Sequence, residues 1–168
     1  MNRAVRLVAA GILSLAAFAL VELRPSGAKL RCADAMVRAG EIMEQAIQAI
    51  REQREHAGAK FDLGIDPNRT GLIGPEYTPL TTTVGELEAK RSTTNPNVAG
   101  FIVYLLCKAG VKPGDSVAIG SSGSFPALMV ASLAAARAMD VHPVTILSLG
   151  ASSYGSTDPD FNLLDIYD

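Results

Sequence analysis

The chain has 168 residues, with 15 Lys+Arg against 17 Asp+Glu and 48% hydrophobic residues. That balance excludes a disordered chain and a broad basic surface for nucleic acid, and it fits one modest domain joined to something unusually apolar. The excess is local: in residues 4–21, 15 of 18 positions are Ala, Val, Ile, Leu or Phe, interrupted by Arg6, Gly11 and Ser14. Setting aside Arg3, Arg6, Arg24 and Glu22 leaves 12 basic and 16 acidic residues, so the remainder is mildly acidic.

Residues 7–21 carry no charge, and Leu23 prolongs the apolar stretch past Glu22. About 20 helical residues cross a hydrocarbon core of about 30 Å, so this segment reaches only if its flanking arginines snorkel. Residues 1–24 are therefore expected to be a single-pass signal-anchor in a membrane. The rival is a cleaved signal peptide, since Ala17-Phe18-Ala19 is an A-x-A pattern. It lies inside the apolar run, with Leu20 and Val21 still to come, which favours the uncleaved anchor. Lys29 and Arg31 before Cys32 stand where a lipoprotein would have small residues, so lipidation is discounted. Basic residues flank the segment on both sides, so the positive-inside rule does not fix the membrane side, and an extracytoplasmic domain is the working assignment.

Residues 25–58 read as one amphipathic stalk or core-packing helix. Met36, Met43 and Ile50 repeat every seven positions beside Ala39, Ala46 and Ile47, and Glu41, Glu44, Gln48, Arg51, Glu52 and Glu55 lie opposite. Gly58 is the expected stop. Residues 59–168 read as an α/β domain that begins with a long loop region rich in Pro, Gly and Asn, with a hydroxyl run at Thr81-Thr82-Thr83. Asp66-Pro-Asn-Arg-Thr-Gly71 imitates the start of a calcium loop. Tyr77 occupies the position that needs a bidentate Glu, so calcium is not expected.

Asn97 opens a helix that Gly110 ends, and Lys112-Pro-Gly-Asp115 turns into a strand at residues 116–119. An alanine-rich helix over residues 127–139 and an apolar strand over 143–149 complete a partial Rossmann-like parallel βαβ unit, expected to be buried as in a doubly wound sheet. Two strands bury too little to finish a domain, so C-terminal truncation is expected. Cys32 lies near the anchor and Cys107 in the helix after Asn97, with no evident reason to meet. No disulfide is expected, and the redox compartment stays open.

Ligands of parallel sheets bind beyond the carboxyl ends of the strands, where two Gly/Ser loops fall. Gly120, Ser121, Ser122, Gly123 and Ser124 in the first, and Ser152 and Ser153 in the second, are the candidate ligand-binding residues. Small residues and a following helix N-terminus suit a carboxylate or phosphate, and a tight structural turn is the plainer alternative. The string is not a P-loop, a dinucleotide fingerprint or a nucleophile elbow. Glu86, Glu88, Lys90 and Arg91 form a short polar segment read most simply as a solvated helical turn. In the functional reading Glu86 or Glu88 supplies a catalytic base, while Lys90 or Arg91 contacts an anion. His56 and His142 read as surface residues. No Cys/His metal pattern exists, and no cofactor is implied.

Five strings in order carry a resemblance: Ile65-Asp-Pro-Asn-Arg-Thr-Gly-Leu-Ile-Gly-Pro-Glu76, Thr81-Thr-Thr-Val-Gly-Glu-Leu-Glu-Ala-Lys-Arg91, Thr94-Asn-Pro96, Ala118-Ile-Gly-Ser-Ser-Gly-Ser-Phe-Pro-Ala127 and Ser148-Leu-Gly-Ala-Ser-Ser-Tyr-Gly155. Together, over roughly residues 30–168, the chain resembles the poly-gamma-glutamate system protein family of bacterial capsule-type polymer machinery. The resemblance implies a membrane-anchored accessory component of poly-gamma-glutamate synthesis, export or processing. Its expected partners are the bilayer, other proteins of that system and an anionic polymer or precursor. It carries over no catalytic set. The competing expectation, from the residues alone, is a membrane-bound transferase or hydrolase acting on an anionic substrate.

Overall fold

A computed structural model of the chain describes residues 3–23 and 30–167. The chain divides into two units, residues 1–30 and 31–168. In the first, α1 (Arg3–Glu22) is a 20-residue helix, as a proline-free run rich in Ala and Leu favours. Its apolar side chains lie open on every side, Leu7, Leu13, Leu15, Phe18 and Val21 among them. The uncharged stretch of 15 residues at 7–21 rises about 22 Å, and among the described residues no helix is long and apolar enough to cross a membrane.

The second unit is a mixed α/β body. Its first element is α2 (Ala33–His56), which buries Ala39, Met43, Ile47 and Ile50, the stripe expected from the heptad spacing. It belongs to the same compact unit as the strands, which makes it a core helix. Gly58, at φ 73°, follows its end as expected. Next come β1 (Thr81–Thr83), α3 (Leu87–Thr93) and α4 (Asn97–Lys108). Helix α4 buries Ala99, Gly100, Val103 and Cys107. A Cβ on Gly100 would stand 2.9 Å from the Met36 carbonyl oxygen, so the absence of a side chain there sets the approach of α2 and α4.

Strand β2 (Ser116–Ser122) and strand β3 (His142–Ser148) pair in parallel, from Ser116 opposite His142 to Ser122 opposite Ser148. Between them runs α5 (Pro126–Ala138), nine of whose residues are buried, six of them alanines. Small side chains suit it because it packs on α2, α4 and the β2–β3 pair together. Val117 and Leu147 face this core. The other sheet face carries Val144 and Ile146, 59% and 75% exposed, so the pair is covered on one side and the expected burial on both faces does not hold among the described residues. The chain closes with β4 (Ala151–Ser152), β5 (Thr157–Asp158), β6 (Phe161–Asn162) and α6 (Leu163–Tyr167). Strands β1 and β4 are parallel and β5 and β6 antiparallel. The threonine run expected in a loop is therefore a strand. It has no apolar alternation because neither of its faces is buried in the core, Thr81 being half-buried and Thr82 and Thr83 exposed.

Cys32 and Cys107 form a disulfide across 75 residues, contrary to the expectation that they stay apart. Cys32 sits just before α2 and Cys107 in the last turn of α4, and only the antiparallel packing of those helices brings them together. Closing a loop of this length stabilises by about 2–4 kcal/mol. Reducing the bond, or making Cys32→Ser with Cys107→Ser, should lower the melting temperature by about 10 °C. A melt unchanged by dithiothreitol would contradict this.

Candidate functional site

Strand β2 ends at Ser122, and Gly123 extends the ladder by donating its N–H to the Ser148 carbonyl at 2.9 Å. The chain then turns through Ser124 and Phe125 into Pro126, whose fixed φ suits the first turn of α5. Strand β3 leads through Leu149 and Gly150 into β4, so the two Gly/Ser loops emerge side by side. They meet backbone to backbone. Ser156 donates its N–H to the Gly123 carbonyl at 2.7 Å and its hydroxyl to the same oxygen at 3.2 Å. Ser152 donates its N–H to Ser124 Oγ at 3.0 Å.

Glycines make this approach possible. A Cβ on Gly155 would lie 2.2 Å from the Gly123 carbonyl oxygen, and one on Gly123 would lie 2.8 Å from Ser156 Oγ. Two further turns press in. A Cβ on Gly85 would meet the Ser153 carbonyl oxygen at 2.7 Å, and one on Gly74 would meet that of Gly155 at 2.6 Å.

Lys90 enters this convergence from α3. It is 3% exposed, which corrects the solvated-turn reading at Lys90, while Glu86 and Glu88 are exposed as that reading expects. Leu87, Lys90 and Thr94 share one stripe of α3 and its C-terminal end, and that stripe faces inward. Lys90 Nζ donates to the Ser152 hydroxyl at 2.7 Å and to the Ser124 carbonyl at 2.5 Å. It lies 3.6 Å from the centroid of the Phe125 ring. Among the described residues no carboxylate forms an ion pair with it, and burial pushes its pKa below the ordinary 10.5.

Of the residues singled out in the sequence, Ser122, Gly123, Ser124, Ser152, Ser153 and Lys90 are therefore neighbours. Ser121 is half-buried next to them, and its hydroxyl has only a long contact, 3.4 Å, to the Ser122 carbonyl. Gly120 lies elsewhere, with nothing within 4 Å of where a Cβ would stand. Arg91 is engaged away from the loops, donating to the Ile65 carbonyl at 3.0 Å, to that of Gly64 and to Glu88 at 2.5 Å. Glu88 is 80% exposed in that pair, while Glu86 is exposed at the start of α3. Asp66, the first position of the imitation calcium loop, is buried and accepts from Thr70 Oγ1 and the Gly71 N–H. Among the described residues no cluster of His, Cys, Asp or Glu is arranged to hold a metal ion.

Sequence reasoning passed over Tyr154, which adopts φ 63° inside the second loop. Its hydroxyl pKa is raised by burial, by a hydrogen bond to Glu76 and by the nearby charges of Glu76 and Glu86. A bulky residue with positive φ leaves no mark in a sequence, so nothing there could have flagged it. Lys90 did leave a signal, the 87–90–94 spacing. A separate cleft of about 850 Å³ lies between α2 and the turns near Asn68 and Asn95. Its two arginines are committed elsewhere: Arg51 donates to the carbonyls of Asn68 and Arg69, and Arg91 is bonded as above.

Compared with protein-family models, curated proteins and solved structures, nothing matches this chain.

Proposed function

We propose that the protein is a membrane-anchored accessory component of poly-gamma-glutamate synthesis, export or processing, whose Gly/Ser loops hold a carboxylate or phosphate group. The observation that carries this reading is the convergence of both loops on the buried Lys90, which brings an amine, hydroxyls and close-lying backbone to one place. The ordered strings from Ile65 to Gly155 supply the pathway. The anchor in this reading is the exposed apolar stretch of α1, which falls short of a full crossing by itself and reaches through snorkelling of its flanking arginines. The disulfide supports placing the folded unit outside the cytoplasm, because such bonds persist in oxidising compartments. The bare Val144 and Ile146 face supports a larger Rossmann-like parallel sheet with a further layer over it.

Deleting the gene in a bacterium that makes the polymer should change its surface amount or chain length. Unchanged polymer in both respects would reject the reading. A second proposal, a membrane-bound transferase or hydrolase acting on an anionic substrate, is favoured by the Lys90 and Ser152 contact. The two proposals share the site and differ in whether a bond is broken there.

A further inference from the structure

We propose that Ser152 and Lys90 are a nucleophile and general-base pair for acyl transfer from an ester or amide carbonyl. This deepens the transferase or hydrolase reading and does not depend on which polymer or precursor is involved. Serine is activated in enzymes by a neighbouring base, and lysine serves in that role when its amine is neutral. The requirements are hydrogen-bond reach between the two atoms and an environment that disfavours the ammonium form.

Both are met. Nζ and Oγ are 2.7 Å apart. The lysine is 97% buried, has no carboxylate partner among the described residues, and is held by a carbonyl oxygen and a hydroxyl. A neutral amine can donate one N–H to the Ser124 carbonyl and turn its lone pair to the Ser152 hydroxyl proton. Ser152 is itself fixed, because its N–H is bonded to Ser124 Oγ and the Gly85 turn presses on its side chain. Phe125, whose ring lies against Nζ, immediately precedes α5. The positive end of that helix thus borders the place where negative charge would develop.

In the step, the Ser152 hydroxyl proton passes to Nζ as Oγ bonds to the substrate carbonyl carbon. The bond from that carbon to the leaving oxygen or nitrogen breaks, and the leaving group takes the proton from Nζ. Water, or an acceptor amine or alcohol, then attacks the acyl-serine. It gives its proton through Nζ to Oγ, which restores the hydroxyl.

The test is covalent labelling of the full-length protein in detergent micelles with phenylmethanesulfonyl fluoride, read by intact mass and peptide mapping. Sulfonylation is expected at Ser152, with a rate that rises with pH to a plateau whose midpoint lies below 10.5, since only the neutral amine accepts the proton. Lys90→Arg and Lys90→Met should slow it by about a hundredfold or more, and Ser152→Ala should abolish it. Labelling of Ser152 no faster than of exposed serines would overturn the proposal, as would equally fast labelling in a Lys90→Met protein whose circular dichroism and melting match the parent. If Lys90→Met does not fold, the parent profile decides, and a rate with no pH-dependent limb would overturn it. Unchanged polymer in a deletion strain together with rapid Ser152 labelling would remove the polymer assignment and leave the pair standing.

Discussion

Gly155→Ala is expected to destabilise the 31–168 unit by about 3 kcal/mol, among the largest effects of any single methyl group added to this chain. The new Cβ would stand 2.2 Å from the Gly123 carbonyl oxygen, 3.0 Å from the Gly123 carbonyl carbon and 3.0 Å from Ser124 Cα, all of them backbone atoms. No rotamer change relieves such a contact, so the two Gly/Ser loops must part. Parting them weakens the bonds from the Ser156 N–H and hydroxyl to the Gly123 carbonyl. Each is worth about 1 kcal/mol, and overpacking adds about 1–3 kcal/mol. The melting temperature should fall by about 10 °C, and Ser152 labelling should slow because Ser124 moves with Gly123. Gly120→Ala is the control: it lies in the neighbouring strand with open space around it, and its melt should be unchanged or slightly higher. Equal melts for the two variants would mean that the loops are not in contact.

The contrast between these glycines also marks what the sequence could convey. Both lie in Gly/Ser strings of similar appearance, and composition cannot tell a glycine that admits a neighbouring backbone from one in an open strand. The helices were legible because their apolar spacing is local: Met43, Ile47 and Ile50 announce α2 without knowledge of its partners. Strands β2 and β3 were legible for the same reason, and so was their parallel pairing once a helix stood between them. Strand β1 was not, since three threonines with no alternation become a strand only through the Ala151–Ser152 segment, 70 residues away in sequence. The disulfide and the Lys90–Ser152 contact belong with β1, because each depends on tertiary packing across 60 residues or more. The site's serines and Lys90 could therefore be named in advance, while the contact that joins them could not.

The other large effect lies at the ion pair between Arg54 and Asp158. Arg54 is in the last turn of α2, its side chain 5% exposed, and its guanidinium meets Asp158 Oδ2 at 2.5 Å and the Lys60 carbonyl at 2.8 Å. The rings of Phe61 and Phe161 lie 5.4 and 5.3 Å from its central carbon. Asp158 is 15% exposed and accepts the Asp160 N–H at its other oxygen, so the carboxylate anchors the β5–β6 hairpin on the end of α2. Removing one partner strands a charge in a site with little water, which costs about 3–5 kcal/mol. Replacing both by apolar groups of similar size restores much of that. Asp158→Leu alone and Arg54→Met alone should each lower the urea midpoint sharply, and the double variant should be less destabilised than the sum of the two. The cycle should show a coupling of about 2 kcal/mol. Additive losses would mean that the two side chains act separately. Because Thr157 precedes Asp158 and bonds the Pro75 carbonyl at 2.5 Å, loosening the hairpin also frees the turn that carries Gly74 against Gly155. The single variants should therefore slow Ser152 labelling although both residues lie outside the site.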